Sequence, residues 1–418
     1  MKVLVVDEWL PWPLETGKKI RTFNTIANLA NRHEIHFLAY VDKNKDNEKI
    51  KIFQEIGIHV IPVPDVRTAK WTTKFYWEVI INFFLSVPFS TQYHVTKAFK
   101  ERMHNAVRRL SPDLIHCEWT NLAPLLEEYG DFPTVIAAHN IESDIWYRFA
   151  LNGSNIFKRL LGRVQAKRIE KLERKWYPRV DRCIAVSEAD KLVIEEYGGK
   201  VSLVDNGVDL EFYNENNKIG QREELEGNRI IFVASFDTFS NQDGAHYFVN
   251  NIFPILQEAL TDIELWLVGK NPPAKIREYG EKNSQIKVTG SVPDVREFIA
   301  RSKICIVPLR IGGGSRLKIL EAMAMHKPIV STSIGAEGLS ITDGKNIVLA
   351  DLPDDFAAAI LDILRDERKQ RMIGNEGYAL VTACYDWDHL TGLQDEAWQK
   401  AQLHFQDGVA YDRYSGGE

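Results

Sequence analysis

Cysteine is scarce in this chain. Cys117, Cys183, Cys305 and Cys384 are the four in 418 residues, and they lie far apart. No Cys-x-x-Cys pair and no Cys/His ligand spacing occurs, so neither a zinc site nor a disulfide framework is signalled, and a reducing compartment fits. Long hydrophobic runs are missing too. The start, MKVLVVDEWL, is interrupted by Asp7 and Glu8 and lacks the apolar core and cleavage site of a signal peptide. Residues 79–89, VIINFFLSVPF, are too few to span a bilayer and include Pro88. A cytoplasmic chain is therefore expected. An excess of one charge is also absent: 52 Lys and Arg face 58 Asp and Glu, a formal net charge of −6. Bulk electrostatics gives no support to a nucleic-acid partner. There is no short repeat and no low-complexity tract.

What is present is a globular composition, 44% hydrophobic and 26% charged, at a length that suits two domains. Short apolar runs bounded by turn residues predict strands at 2–6, 35–40, 58–62, 113–117, 134–138, 182–186 and 201–204. Helical stretches such as 20–32 and 97–110 fall between them. This βαβ alternation implies a doubly wound sheet. Residues 214–229, NENNKIGQREELEGNR, have no apolar periodicity and read as a linker. Alternation then restarts. Strands are predicted at 230–234, 263–268, 286–289, 304–308, 328–331 and 346–349, with helices at about 244–260, 294–301, 315–325 and 354–365. The expected division is a first Rossmann-like domain over 1–212, a linker over 213–229 and a second such domain over 230–384. A helix over 385–405 would cross back to the first domain, and 406–418 would form a flexible tail. Trp387, Leu390, Leu393, Ala397, Trp398 and Ala401 recur at spacings of three and four, giving that helix one apolar stripe.

The richest segment is 308–339, PLRIGGGSRLKILEAMAMHKPIVSTSIGAEGL. Gly312, Gly313 and Gly314 end a strand, and Ser315 stands near the N-cap of the following helix. Such a loop lets backbone N–H groups approach a phosphate at a helix start. Arg316 adds a bidentate cation and Lys318 a point charge. Glu321, about one and a half turns on, can accept hydrogen bonds from ribose hydroxyls. The plain alternative is a glycine turn with a solvated helix face. Loop, basic pair and carboxylate together favour a donor-nucleotide site.

That segment resembles the donor-nucleotide motif of family 4 retaining glycosyltransferases, in particular a subgroup with a glycine-glycine-glycine-Ser-Arg-Leu-Lys-x-Leu-Glu-Ala-Met-Ala pattern. Other segments agree in order: PWPLETGKKIRTFNTIANLANRHEIHFLAY (11–40), DLIHCEWTNLAPLL, TVIAAHNIES, DRCIAVSEADK and VDNGVD. The resemblance implies the GT-B fold: two Rossmann-like doubly wound α/β domains facing each other across a cleft. It implies sugar transfer, with retention, from a nucleoside diphosphate sugar to a hydroxyl acceptor, a saccharide or lipid-linked saccharide. The usual setting is cell-surface polysaccharide or glycolipid assembly. No cofactor and no obligatory metal are implied, and no Asp-x-Asp motif lies near the glycine loop. The expected catalytic residues are His139, Arg316 and Lys318. Donor binding is expected from Gly17, Gly312, Gly313, Gly314, Ser315 and Glu321. Glu118, Asn140 and Glu142 are acceptor-side candidates, and Asp7 and Glu8 end the first strand in a similar place. His139 and Asn140 follow the strand TVIAA, where side chains enter the ligand crevice of a parallel sheet.

The sequence also departs from the family pattern. Many members carry two carboxylates with seven residues between them; counted back from Glu321, the first position is Gly313. No Lys or Arg occurs from Val233 to Phe248, where many members have a basic pair for the diphosphate. Arg316 and Lys318 are the substitutes at hand. These departures keep two alternatives open: a nucleotide-sugar epimerase or hydrolase of the same fold, and a non-catalytic sugar-nucleotide-binding partner. An aromatic segment at 70–93 and a basic helix at 158–175 are candidates for peripheral contact with the inner face of a membrane. Packing against the sheet for the first, and a solvated helix with Glu170 and Glu173 pairing at helical spacing for the second, are the plainer readings.

Overall fold

A computed structural model describes residues 1–42, 45–151, 156–214, 227–311 and 316–407. The chain divides into two compact units, one of Met1–Asp205 with the residues from Leu390 onward, the other of Asn206–His389.

The first unit is built on seven parallel strands: β1 (Lys2–Trp9), β2 (Glu34–Val41), β3 (His59–Pro64), β4 (Leu114–Cys117), β5 (Thr134–Ala138), β6 (Arg182–Ala185) and β7 (Val201–Leu203). Their order is β3-β2-β1-β4-β5-β6-β7. Val3, Leu4, Val5 and Val6 have no solvent exposure, as a strand covered on both faces requires. Helices close the crossovers. Gly17–Leu29 follows β1, capped by Thr16, whose hydroxyl accepts from the Lys19 amide, and Lys97–Leu110 precedes β4.

The second unit carries β8 (Asn228–Val233), β9 (Ile263–Val268), β10 (Ile286–Gly290), β11 (Ile304–Val307), β12 (Ile329–Ser331) and β13 (Val348–Leu349). The order is β10-β9-β8-β11-β12-β13, again all parallel. This is the doubly wound order in which strand sequence reverses beside the first strand. The reversal lies between β1 and β4 in the first unit and between β8 and β11 in the second. Ligands of such sheets bind beyond the carboxyl ends at that reversal.

Some expectations change. Asn228 and Arg229, assigned to the linker, begin β8, and the Arg229 side chain meets Glu264 at 2.9 Å. Residues 215–226 of that linker and 408–418 of the tail lie outside the described residues. The helix expected at 244–260 is three pieces: Phe239–Tyr247, a π-turn over Phe248–Ile252, and Phe253–Ala259. Pro254 has no N–H and sits in the first turn of the last piece, where none is needed; the wider turn before it absorbs the break. The final helix is Trp387–Gln406. Its stripe is buried at Leu390, Ala397, Trp398 and Ala401, but the half-buried Leu393 gives way to Thr391 and Gln394.

Candidate functional site

At the carboxyl edge of the first sheet, Asp7 closes the apolar run of β1 and Glu118 follows β4 directly. They flank the strand-order reversal. Glu118 is buried, and its two oxygens are fully engaged. Oε1 faces His116 Nε2 at 2.9 Å; Oε2 faces His139 Nε2 at 2.8 Å and accepts from the Thr22 hydroxyl at 3.1 Å. The indole N–H of Trp398, a pure donor, reaches His116 Nδ1 at 3.1 Å. His116 therefore donates from Nε2 to Glu118. Burial alone would raise the Glu118 carboxyl, but His116 and His139 outweigh it and hold it well below the usual range. His139 is itself lowered, by burial first, against the pull of Glu118. A carboxylate accepts, so His139 donates from Nε2 and keeps Nδ1 as its other polar atom. His139, at the end of β5, is 9% exposed, against 0% for His116.

A second group lies beside it. Lys18 Nζ meets Asp7 Oδ1 at 2.7 Å and Glu8 Oε1 at 3.3 Å. Burial, opposed by Lys18 and helped by Glu8 and Glu118, pushes Asp7 up to about 7. Lys18 shifts upward: burial lowers it, and the two carboxylates more than compensate. Glu142 accepts from the Trp119 indole at 3.1 Å and is raised by burial. Arg67 stacks on Trp9 and Tyr40, its guanidinium carbon 4.1 and 3.9 Å from their ring centres, and reaches His94 Nδ1 at 2.7 Å. His94 is driven down to about 4, chiefly by burial, and its Nε2 lies 3.5 Å from Glu8.

The structure thus joins Glu118 to His139 directly. Gly17 opens the helix that carries Lys18, and the half-buried Asn140 sits beyond β5. Neither basic neighbour of Gly17 at the site is a solvated surface charge: Lys18 is paired, and Arg21 is 2% exposed, donating to the Val204 and Asp205 carbonyls at 2.7 and 2.6 Å. His116, Arg67 and His94 were not singled out from sequence, and Trp398 was named only in an apolar stripe. His116 had a usable signal, because residues two apart on a strand share a face.

In the second unit, the helix Leu317–Ala324 follows β11 and has Arg316 at its N-cap. Gly312, Gly313, Gly314 and Ser315 lie outside the described residues. Arg316 is 9% exposed and directs Nε to the Glu337 carbonyl at 3.1 Å and Nη2 to the Glu337 carboxylate at 3.3 Å. Lys318 Nζ donates to the side-chain oxygen of Asn241 at 2.7 Å and lies 5.1 Å from the Phe232 ring centre. Burial lowers Lys318 to about 8, with Arg316 adding to the fall and Glu321 opposing it. Glu321 is raised by burial; Tyr213, whose hydroxyl bonds it, and Lys318 oppose that rise. The stretch after β8 that lacks its own cations receives them from the helix after β11 and from the loops after β9 and β11. Lys318 comes to Asn241, Arg310 clasps Asp243 at 2.6 and 3.0 Å, and Lys270 stands 3.9 Å from Asp237. Gly269 permits the close approach beneath: a Cβ there would sit 1.8 Å from the Ala234 carbonyl oxygen. Among the described residues, no group of three or more His, Cys, Asp or Glu side chains could hold a metal ion.

Comparison with known proteins agrees on the architecture. An uncharacterized glycosyltransferase of Methanocaldococcus jannaschii is 28% identical over 208 residues, 47% of this chain and 53% of that protein. The chain spans about half the length of the curated relatives it matches. Among solved structures, sucrose-phosphate synthase of Thermosynechococcus elongatus superposes with a TM-score of 0.69 at 15% identity, covering 96% of this chain and 98% of that one. HepE of Anabaena, solved with UDP and glucose, gives 0.62 at 15% identity, covering 96% and 99%. Both likenesses establish the GT-B fold, two Rossmann-like α/β domains. Residues 17–212 match the family described as "Glycosyltransferase Family 4" and residues 227–366 the family described as "Glycosyl transferases group 1". Together the two matches take in most of the sequence, each of them to a glycosyltransferase domain family.

Proposed function

We propose that this chain transfers a sugar, with retention, from a nucleoside diphosphate sugar to a hydroxyl acceptor in cell-surface polysaccharide or glycolipid assembly. The observation that carries the reading is the helix start after β11. Arg316 and Lys318 stand there in the first turn and Glu321 in the next, at the strand-order reversal of the second sheet. Arg316 and Lys318 would stabilise the departing diphosphate, as preorganised cations do where charge develops. Glu321 would take the ribose hydroxyls. Gly312, Gly313, Gly314 and Ser315 would give backbone N–H groups to the phosphates, and Gly17 a close backbone approach. This agrees with the subgroup motif and with the UDP found in HepE. His139, held by Glu118, would offer Nδ1 to a hydroxyl of the donor sugar. Glu118, Asn140 and Glu142 belong to the acceptor side. Front-face attack, with the leaving phosphate taking the acceptor proton, needs no carboxylate nucleophile, which accommodates glycine at 313. The cations replace a metal in this scheme.

A thermal-shift panel of nucleoside diphosphates and their sugars tests the reading, since a ligand of the folded state raises its stability by mass action. One nucleotide class should stabilise the protein, and turnover with its sugar should survive EDTA. Release of nucleoside diphosphate with no acceptor present would instead favour the hydrolase or epimerase alternative. Complete loss in EDTA, restored by magnesium or manganese, would overturn the metal-independent scheme.

A further inference from the structure

The helix Thr73–Phe83 is inside out. A surface helix normally buries its apolar stripe and shows its polar face. Here the one buried member is Asn82, whereas Tyr76, Trp77, Ile80 and Ile81 are exposed on the outer side. The chain continues outward with Phe84 at 83% exposure, then Leu85 and Val87, and Trp71 before the helix is 78% exposed. The inner side is firmly tied: Phe75 packs edge-on against Phe89 and Tyr93, and Asn82 anchors a polar cluster. Asn82 donates to the Val87 carbonyl and to Gln92, and its side-chain oxygen accepts from Gln165 at 2.9 Å. Arg168 donates to the Asn82 and Phe83 carbonyls at 2.9 and 2.8 Å. The apolar display is therefore fixed by a hydrogen-bonded base.

That base is the helix Ile156–Trp176. Its exposed residues beside the contact include Arg163, Lys167 and Lys171, with Phe157 and Leu160 at the near end. Between 156 and 171 the sequence has six Lys or Arg and a single acid, Glu170, which is occupied by Tyr147 and Arg174. Glu173, expected to pair on this surface, is buried and serves Ser143 instead. Lys70 and Lys74 border the aromatic side, where Glu78 accepts from Thr68. A local excess of cations in a chain of net charge −6 is a distinct surface.

We propose that this face docks on a bilayer containing anionic phospholipid. Trp71, Trp77, Ile81 and Phe84 enter the headgroup boundary, and Arg163, Lys167 and Lys171 meet the lipid phosphates. The pairing of exposed tryptophan with lysine and arginine suits a lipid interface, whereas the core of a protein interface is depleted in lysine. Insertion is shallow: among the described residues no helix is long and apolar enough to cross a membrane. Arg67 and His94, which flank this segment in sequence, stand beside Trp9 and Tyr40 at the edge of the first sheet, so docking would hold that edge near the lipid surface. This last point alone rests on the proposed lipid-linked acceptor.

The test is co-sedimentation of the full chain with phosphatidylcholine vesicles, with and without phosphatidylglycerol. Binding should require phosphatidylglycerol and weaken with salt. Trp77→Glu with Phe84→Glu should abolish it. Arg163→Glu with Lys167→Glu should weaken it by at least the roughly fivefold per basic residue expected of surface cations near anionic lipid. These side chains are exposed, and circular dichroism checks each variant's fold. Brominated acyl chains should quench tryptophan fluorescence less in Trp77→Phe. A full chain that stays in the supernatant with both vesicles, or variants that bind as the parent does, would overturn the proposal. Self-association lost in Trp77→Glu with Phe84→Glu, without vesicle binding, would overturn it in favour of a protein interface.

Discussion

The carboxyl edges of the two sheets are built alike and charged differently. In the first, each strong charge meets an opposite or a hydrogen-bonding group within the same unit: Glu118 meets two histidines and Thr22, Lys18 meets two carboxylates, Arg21 meets two carbonyls. In the second, Lys318 meets the neutral oxygen of Asn241, and Arg316 meets a carbonyl and the exposed Glu337. A network that neutralises itself fixes geometry. Lys318, held by a neutral dipole, keeps more of its field for a ligand than Lys18, which meets two carboxylates. The first edge is suited to orienting a reacting group, and the second to receiving an anion.

The largest effect should come from the second edge. Arg316→Ala should lower turnover by roughly 10²–10³, the scale of losing one transition-state-stabilising donor. Near-normal activity in both Arg316→Ala and Lys318→Ala would erase the contrast between the edges. Glu321→Ala should weaken nucleoside diphosphate binding by about 10- to 100-fold, the worth of hydrogen bonds to a charged acceptor. Calorimetry on a folded variant reads this directly, and an unchanged affinity would remove Glu321 from the ribose.

At the first edge the effect should appear as stability. Glu118→Gln keeps the shape but turns one acceptor into a donor that faces an imidazole N–H. Urea unfolding should show a loss of roughly 1–3 kcal/mol. Histidine NMR should then show His139 losing its fixed Nε2–H form. A variant as stable as the parent would mean that the network is not internally matched.

The smallest expected effect is a pH dependence. Lys318 is lowered to about 8, so it is charged below that value and loses its proton above it. An anion binds the charged form. Donor affinity should therefore decline as pH rises through about 8, whereas Lys318→Arg should remain flat there. A decline that persists in Lys318→Arg belongs to another group.

Much of this fold was legible because parallel strands buried on both faces must be apolar throughout. β5 and β9 coincide with the expected 134–138 and 263–268. The helix after β8 was misjudged because its apolar residues continue through a π-turn that periodicity does not register. At the candidate site, Arg316, Lys318 and Glu321 are near in sequence and were found together. Glu118 and His139 were named separately, and nothing local could show that they share a hydrogen bond. Trp398 was noted only as part of an apolar stripe; its role as a donor to His116 depends on residues 282 apart in sequence. Arg67 was invisible because its importance comes from the rings of Trp9 and Tyr40, which only the fold assembles.

The hydrogen bond from Trp398 also has a consequence for biosynthesis. The first unit is the earlier to leave the ribosome, and domains generally fold in that order. Yet residues from Leu390 onward belong to it, and Ala397, Trp398 and Ala401 are wholly buried. A nascent chain ending at His389 has every strand of the first sheet and still lacks the indole that settles which nitrogen of His116 carries its proton. Completion of this site therefore waits until the intervening unit has been translated.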